Sequence, residues 1–394
     1  MQIDRSVALA CGGLAAMAAA MGIGRFVYTP ILPAMLASLG WSKSDAGLIA
    51  SANFLGYFIG ALLAGRPFVA ARPRPWLLTA LAVSVVTTAA MAAPSDIASF
   101  AVLRFVGGVA SAFVIVCASS LVVERLSLSG RGALSAIHFA GVGFGILISA
   151  IAVSALLASG AGWRSLWIGS GVMAMLAAIA AFCLIPAGSP APSKPQASNG
   201  GPSRIGAMVV AYGLFGFGYV ITATFLVTIV RLTDEVRALE PWVWVLFGLA
   251  AIPSVAFWTR LGGRIGITNA YAVACAIEAI GVAASVEWVT ISGVCFAALL
   301  LGGTFMGLTA LGFMAARALS AGNPHRAFGR MTASFSVGQM VGPTLAGFLS
   351  EQSGSFRLAS LIAAVALMAA AALALWTSWE AKTAGQDILA ASGD

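Results

Sequence analysis

The chain has 394 residues, 60% of them hydrophobic and 9% charged, with a formal net charge of +8. Soluble domains run near half apolar and about a quarter charged, so a soluble globular fold is excluded and a membrane chain is indicated. The positive charge forms no basic stripe interleaved with aromatics, which argues against nucleic-acid binding and leaves membrane orientation and anionic-lipid contact as its role.

Apolar runs of about 20 residues, the length that crosses a bilayer core, recur from end to end. Twelve spans are predicted, at about 7–37, 45–65, 76–94, 97–122, 133–158, 165–186, 205–230, 241–259, 268–286, 289–318, 328–351 and 357–379. A bilayer offers no water to backbone groups, so spans of this length are helices and the fold class is all-α integral membrane.

The first span contains MGIGRFVYTPILP from Met21. Pro30 and Pro33 each remove a helix donor and clash with the preceding turn, so a kink is expected just outside Arg25. That kink serves either as a gate that frees carbonyls for a solute or as a simple bend. Arg5, an apolar run and AAMAAA imitate a cleaved signal peptide. Removing residues 1–20 would leave an odd number of spans, so the segment is expected to stay.

Residues 186–204, PAGSPAPSKPQASNGGPSR, hold five of the fifteen prolines and have no apolar period. They separate an N-terminal six-helix bundle, 1–186, from a C-terminal one, 205–379, with 187–204 as a cytoplasmic linker and 380–394 as a cytoplasmic tail. With the N-terminus in the cytoplasm, fourteen lysines and arginines fall on that side and five outside, namely Lys43, Arg164, Arg231, Arg237 and Arg357. This bias places both termini inside. Cys11, Cys117, Cys183, Cys275 and Cys295 lie within spans without CxxC spacing and read as core residues, with no metal or cofactor expected.

Six spans on each side prompt a search for duplication. At an offset of 194, Gly22 pairs with Gly216, Gly24 with Gly218, Arg25 with Tyr219, Arg66 with Arg260 and Gly108 with Gly302. Nearby offsets pair Gly141 and Gly145 with Gly338 and Gly342. An even number of spans per copy makes the repeat parallel, about an axis along the membrane normal. The glycine pairs at 56 and 60, 141 and 145, 303 and 307, and 338 and 342 are expected to permit close helix contact.

This layout resembles the major facilitator superfamily. The fourth span reads Arg104-Phe-Val-Gly-Gly108, similar to the facilitator motif in which an arginine precedes a glycine by four. The loop GALLAGRPFVAARPRP from Gly60 looks like its glycine-Asp-Arg motif without the acid. GIGRFVYTPILP, SANFLGYFIGALLAG from Ser51, FGFGYVITATF from Phe215 and GQMVGPTLAG from Gly338 resemble the bacterial YbfB/YjiJ-type subfamily over essentially the whole chain. The resemblance implies two six-helix bundles rocking about a midplane site, the first and fourth helices of each half lining a central cavity, in a bacterial inner membrane.

Four strongly ionisable residues lie at depth: Arg25, Arg104, His138 and Glu278. An arginine there costs at least about 2.5 kcal/mol and so faces the bundle interior or water. Arg25 lies roughly 27 Å into a span from the inside, and Arg104 roughly 10 Å into one from the outside, at comparable height. Two guanidiniums facing one cavity suit an anionic substrate, carboxylate or phosphate. Against that, Arg104 reads equally as a structural arginine holding backbone carbonyls, and Arg25 as one that snorkels outward.

Tyr28 and Thr29 follow Arg25 by three and four residues, Asn53 and Tyr57 share a face of the second span, and Tyr219, Thr222 and Thr224 take the corresponding place in the second half. They are expected to line a polar cavity; helix-to-helix hydrogen bonding is the competing account. Glu278 and His138 are the candidates for proton coupling, with packing or lipid-facing neutralisation as the alternative for Glu278 and a satisfied interfacial position for His138.

The function expected is secondary transport of a small organic anion by a functional monomer. An exporter of drug-like or amphipathic compounds is the alternative, and a non-transporting sensor a remote one. An intramembrane enzyme would need a clustered nucleophile and base, and the sequence offers a lone histidine and a lone glutamate.

Overall fold

A computed structural model of the chain describes residues 4–187, 205–320 and 324–391. Residues 188–204, nearly all of the expected linker, lie outside the described residues. The described chain is helical without strands: α1 Arg5–Met17, α2 Tyr28–Leu39, α3 Lys43–Ala64, a short α4 Pro67–Ala70, α5 Pro73–Ala90, α6 Ile97–Leu128, α7 Ser135–Ala158, α8 Trp163–Leu184, α9 Gly206–Arg231, α10 Glu240–Ile265, α11 Ile267–Glu287, α12 Ile291–Leu319, α13 Pro324–Ser353 and α14 Arg357–Ala391. α14 runs through most of the segment expected as a tail.

Ten crossings are apolar and long enough to span a bilayer by themselves, the α1–α2 pair counting as one. α5 and α13 complete the twelve. α5 carries Ser84, Thr87 and Thr88, yet these stay hidden because Thr87 Oγ1 donates to Val83 O at 2.8 Å and Thr88 Oγ1 to Ser84 O at 2.7 Å. The helix thus satisfies the Thr87 and Thr88 hydroxyls itself. α6 starts where Asp96 accepts from the Ser99 N–H at 2.8 Å, a cap that also holds the Asp96 carboxyl below the usual carboxylate range.

Helix pairing follows the duplication. A Cβ at Gly108 on α6 would collide with the Asn53 carbonyl of α3, and a Cβ at Gly302 on α12 with the Phe247 carbonyl of α10. Both members of each contact are offset by 194. Gly141 on α7 packs on Leu14 of α1, and Gly338 on α13 on Gly213 of α9, which is the second equivalent pair. Gly303 departs from expectation: open space surrounds its Cβ position, and Gly302 and Gly307 carry the contact instead.

The halves meet along three seams, α3 against α13, α7 against α10, and α2 against α9. Let the end where α1 begins be the proximal end. At the distal end the seams are closed: Ser51 Oγ donates to Met340 O at 2.7 Å and lies 2.8 Å from Thr344 Oγ1, Lys43 Nζ reaches Ser350 O at 3.5 Å, and Ser154 Oγ donates to Pro241 O at 2.9 Å. Toward the proximal end a cavity of about 520 Å³ separates α6 and α7 from α10 and α12, with exposed Arg260 and Arg317 at its rim.

Candidate functional site at the seam of the two halves

The first crossing is not one kinked helix. After α1 it widens into a π-helical stretch, Ala18–Ile23, and then breaks at Gly24–Val27 before α2 starts. The break therefore falls at Arg25 itself, not beyond it. Pro30 lies in the first turn of α2, where no intrahelical donor is required, and Pro33 lies inside the helix. Because Pro30 has no N–H to offer Phe26, the Thr29 N–H turns to Phe26 O at 3.3 Å, and Arg25 O is released.

Arg104 takes up what the break releases. Its Nη1 donates to Gly24 O at 3.1 Å and its Nη2 to Arg25 O at 3.0 Å. Asn53 Nδ2 donates in turn to Arg104 O at 2.8 Å, the Arg104 guanidinium lies 4.9 Å over the Tyr28 ring, and Tyr28 Oη donates to Ala46 O at 2.9 Å. Arg104, Asn53 and Tyr28 thus form a bracket around an interrupted helix, which matches the carbonyl-holding role.

Arg25 points the other way, into the seam. It is 3% exposed, with its guanidinium 4.3 Å over Tyr57, 4.7 Å over Phe54 and 5.6 Å from the Phe26 ring. Burial overturns the snorkelling alternative. Its Nη2 donates to Oε1 of Gln339 on α13 at 3.0 Å, and Nε has no partner. Gln339 Nε2 donates to the hydroxyl of Tyr219 on α9, whose ring stacks with Phe215, Phe305 and Phe335. No ion pair among the described residues involves Arg25.

Of the remaining candidates, Thr29 Oγ1 donates across the seam to Ala223 O at 2.7 Å. Thr222 Oγ1 is buried without a partner, and Thr224 is buried. The expectation that Arg25, Tyr28, Thr29, Asn53, Tyr57, Arg104, Tyr219 and Thr222 line the open cavity does not hold in this conformation: none borders the large one. Tyr219 comes nearest to it, since its ring stacks on Phe305, whose neighbour Met306 lines the cavity.

Glu278 is fully buried, so a lipid-facing position is excluded; neither oxygen has a hydrogen-bond partner, and Thr304 is the nearby hydroxyl. His138 is equally buried, lies 3.2 Å from Ser119 Oγ through Nε2, and packs against Gly13 of α1. It is a core residue between α1, α6 and α7 rather than an interfacial one.

Sequence reasoning missed Gln339, Phe54 and Phe305. Gln339 stands out as the one amide in GQMVGPTLAG, but that stretch reads first as a glycine-rich packing surface. Its partner lies 314 residues away in the chain.

Comparison with known proteins bears on this arrangement. Residues 17–375 match the profile of the family described as "Uncharacterised MFS-type transporter YbfB". A "Chloramphenicol resistance protein" of Streptomyces lividans is 26% identical over 392 aligned residues, covering 91% of this chain and 94% of that protein. Among solved structures, the nucleoside transporter NupG superposes with a TM-score of 0.67 at 12% identity, covering 95% of this chain and 99% of that one. A mutant form of the same transporter superposes with a TM-score of 0.71 at 12% identity, covering 94% and 99%. At that identity the likeness concerns the fold alone.

Proposed function

Since this chain belongs to the major facilitator superfamily, in the YbfB-type family, we propose that it is a secondary transporter moving a small organic anion across the bacterial inner membrane by alternating access. The observation that carries the reading is Arg25: a guanidinium buried at the seam of two rocking bundles, held by a neutral amide and aromatic faces, with Nε unused. A buried cation without a counter-charge is costly. A carboxylate or phosphate arriving from the cavity supplies that charge in fork geometry.

Arg104 enters as a positioning residue that fixes the backbone of Arg25. Closed distal seams with a proximal cavity correspond to one end of the transport cycle. With both termini in the cytoplasm, as the lysine and arginine bias argues, this end is the inward-facing one. The reading is of a monomeric carrier without cofactor, not an enzyme.

A thermal-shift screen of the purified protein tests it, with small anions, cations and neutral solutes set against wild type and Arg25→Gln. At 100 times its dissociation constant a ligand stabilises by about 2.7 kcal/mol. The expected result is an anion that raises the melting temperature of the wild type and not of the variant.

A second reading has its own support: the cavity wall is mostly apolar, with Phe139, Phe313, Phe328 and Met306, and one relative is named for chloramphenicol resistance. If both proteins respond alike, and to amphipathic or cationic compounds only, export of drug-like molecules is the better account.

A further inference from the structure

We propose that Gln339 is the internal occupant of the anion site: its amide oxygen holds the place on Arg25 that a substrate oxygen takes, and substrate binds by displacing it. The inference rests on the reading of Arg25 as the substrate's counter-ion.

Gln339 is fully buried near the middle of α13 and bridges the halves, accepting from Arg25 of the first and donating to Tyr219 of the second. By the internal duplication, Arg25 and Tyr219 are equivalent positions, so one amide ties the two copies of a single site together. A glutamine is the side chain that can do this without consuming the charge. Its oxygen meets the donor's geometry, while the guanidinium keeps its net positive charge and Nε stays empty.

The amide offers one neutral oxygen, whereas a carboxylate or phosphate brings an opposite charge and a second oxygen, so it outcompetes the amide by taking Nη2 and Nε together in fork geometry. A glutamate at 339 would form a permanent buried pair and close the site. An apolar residue would leave the cation without any acceptor. A neutral acceptor at this position therefore tethers Arg25 while leaving its charge available.

Displacement also has a mechanical consequence. The residue after Gln339 is Met340, whose carbonyl receives Ser51 in the distal closure. An anion that removes Gln339 from Arg25 removes the polar tie of α13 to the break before α2, one residue from the contact that must break for the distal end to open.

The test is a thermal-shift and equilibrium-binding series with benzoate, succinate and inorganic phosphate on wild type, Arg25→Gln, Gln339→Glu and Gln339→Ala. With an anion that stabilises the wild type, Gln339→Glu is expected to lose the response while melting higher than wild type without ligand. Gln339→Ala, freed of its competitor, is expected to bind about tenfold more tightly, the factor lost when a bond of about 1.4 kcal/mol must first be broken.

Retention of the wild-type response in Gln339→Glu, or weaker binding in Gln339→Ala, overturns the proposal while leaving Arg25 as the counter-ion. If Gln339→Glu does not fold, the alanine variant decides by itself. If none of the anions shifts the wild type, or Arg25→Gln responds as the wild type does, the underlying anion reading fails and this inference with it.

Discussion

Arg25 and Arg104 lie at similar depth in the sequence, yet their guanidiniums are in opposite situations. Arg104 spends its fork on two carbonyls of a broken helix; Arg25 meets neutral groups only, the Gln339 amide oxygen and the Tyr57 phenol. Arg104→Gln should therefore strip donors from two buried carbonyls at about 1–3 kcal/mol each and lower the melting temperature by several degrees. Arg25→Gln should leave stability near wild type while binding is lost. Differential scanning calorimetry on both variants separates them, and equal destabilisation would put them in the same structural class.

Glu278, buried with no partner for either oxygen, belongs with Arg25 as a group the fold does not need in charged form. Glu278→Gln is expected to melt at or above the wild-type temperature, whereas a marked drop would reveal a cation the carboxylate serves. That Arg25 and Arg104 matter was legible from the cost of burying them. Which one braces and which one waits was not, because that depends on a carbonyl released 79 residues from the donor and on an amide 314 residues away.

At the scale of elements, small residues decide how closely helices approach, and this was legible. The offset of 194 that pairs Gly108 with Gly302 also pairs their contact partners, Asn53 and Phe247. Replacing Gly108 or Gly302 by valine forces a side chain into backbone and should cost about 1–3 kcal/mol or more. Gly263→Ala, where a Cβ meets open space, is the control. Melting temperatures that fail to separate the two sites from the control would contradict the close approach.

The prolines announced an interruption of the first crossing but not its place, because a missing proline N–H frees a carbonyl one turn before the ring. Pro30 sits in the first turn of α2 and acts on Phe26 O and Arg25 O before it, so the break falls at Gly24–Val27, after a π-helical stretch whose own sequence AAAMGI holds no proline. That the expected polar lining lies packed in a closed seam and not along the cavity escaped the sequence because of how the halves meet. Helical spacing fixes which residues share a face, but which seam is closed depends on the position of one bundle against the other.

At the scale of the molecule, the distal closure runs through α3 and α13. Ser51 and Thr344 face each other with hydroxyls 2.8 Å apart. Ser51→Cys with Thr344→Cys, in a background freed of the five native cysteines, should form a disulfide on mild oxidation. Flux in proteoliposomes is then expected to stop and to return on reduction; undiminished flux in the crosslinked protein would mean that this seam does not open during transport.

Thr29 and Ala223, joined across the seam by one hydrogen bond, are themselves 194 positions apart, so each stands against its own counterpart in the other copy. Such a contact marks a two-fold pseudo-axis. Two identical chains meeting there as a symmetric pair would set like against like, with two guanidiniums confronting each other at the places of Arg25 and Tyr219. Covalent fusion of the copies lifts that constraint: one lineage can keep a cation and the other a phenol, and a lopsided solute can be held at the centre of a nearly symmetric machine.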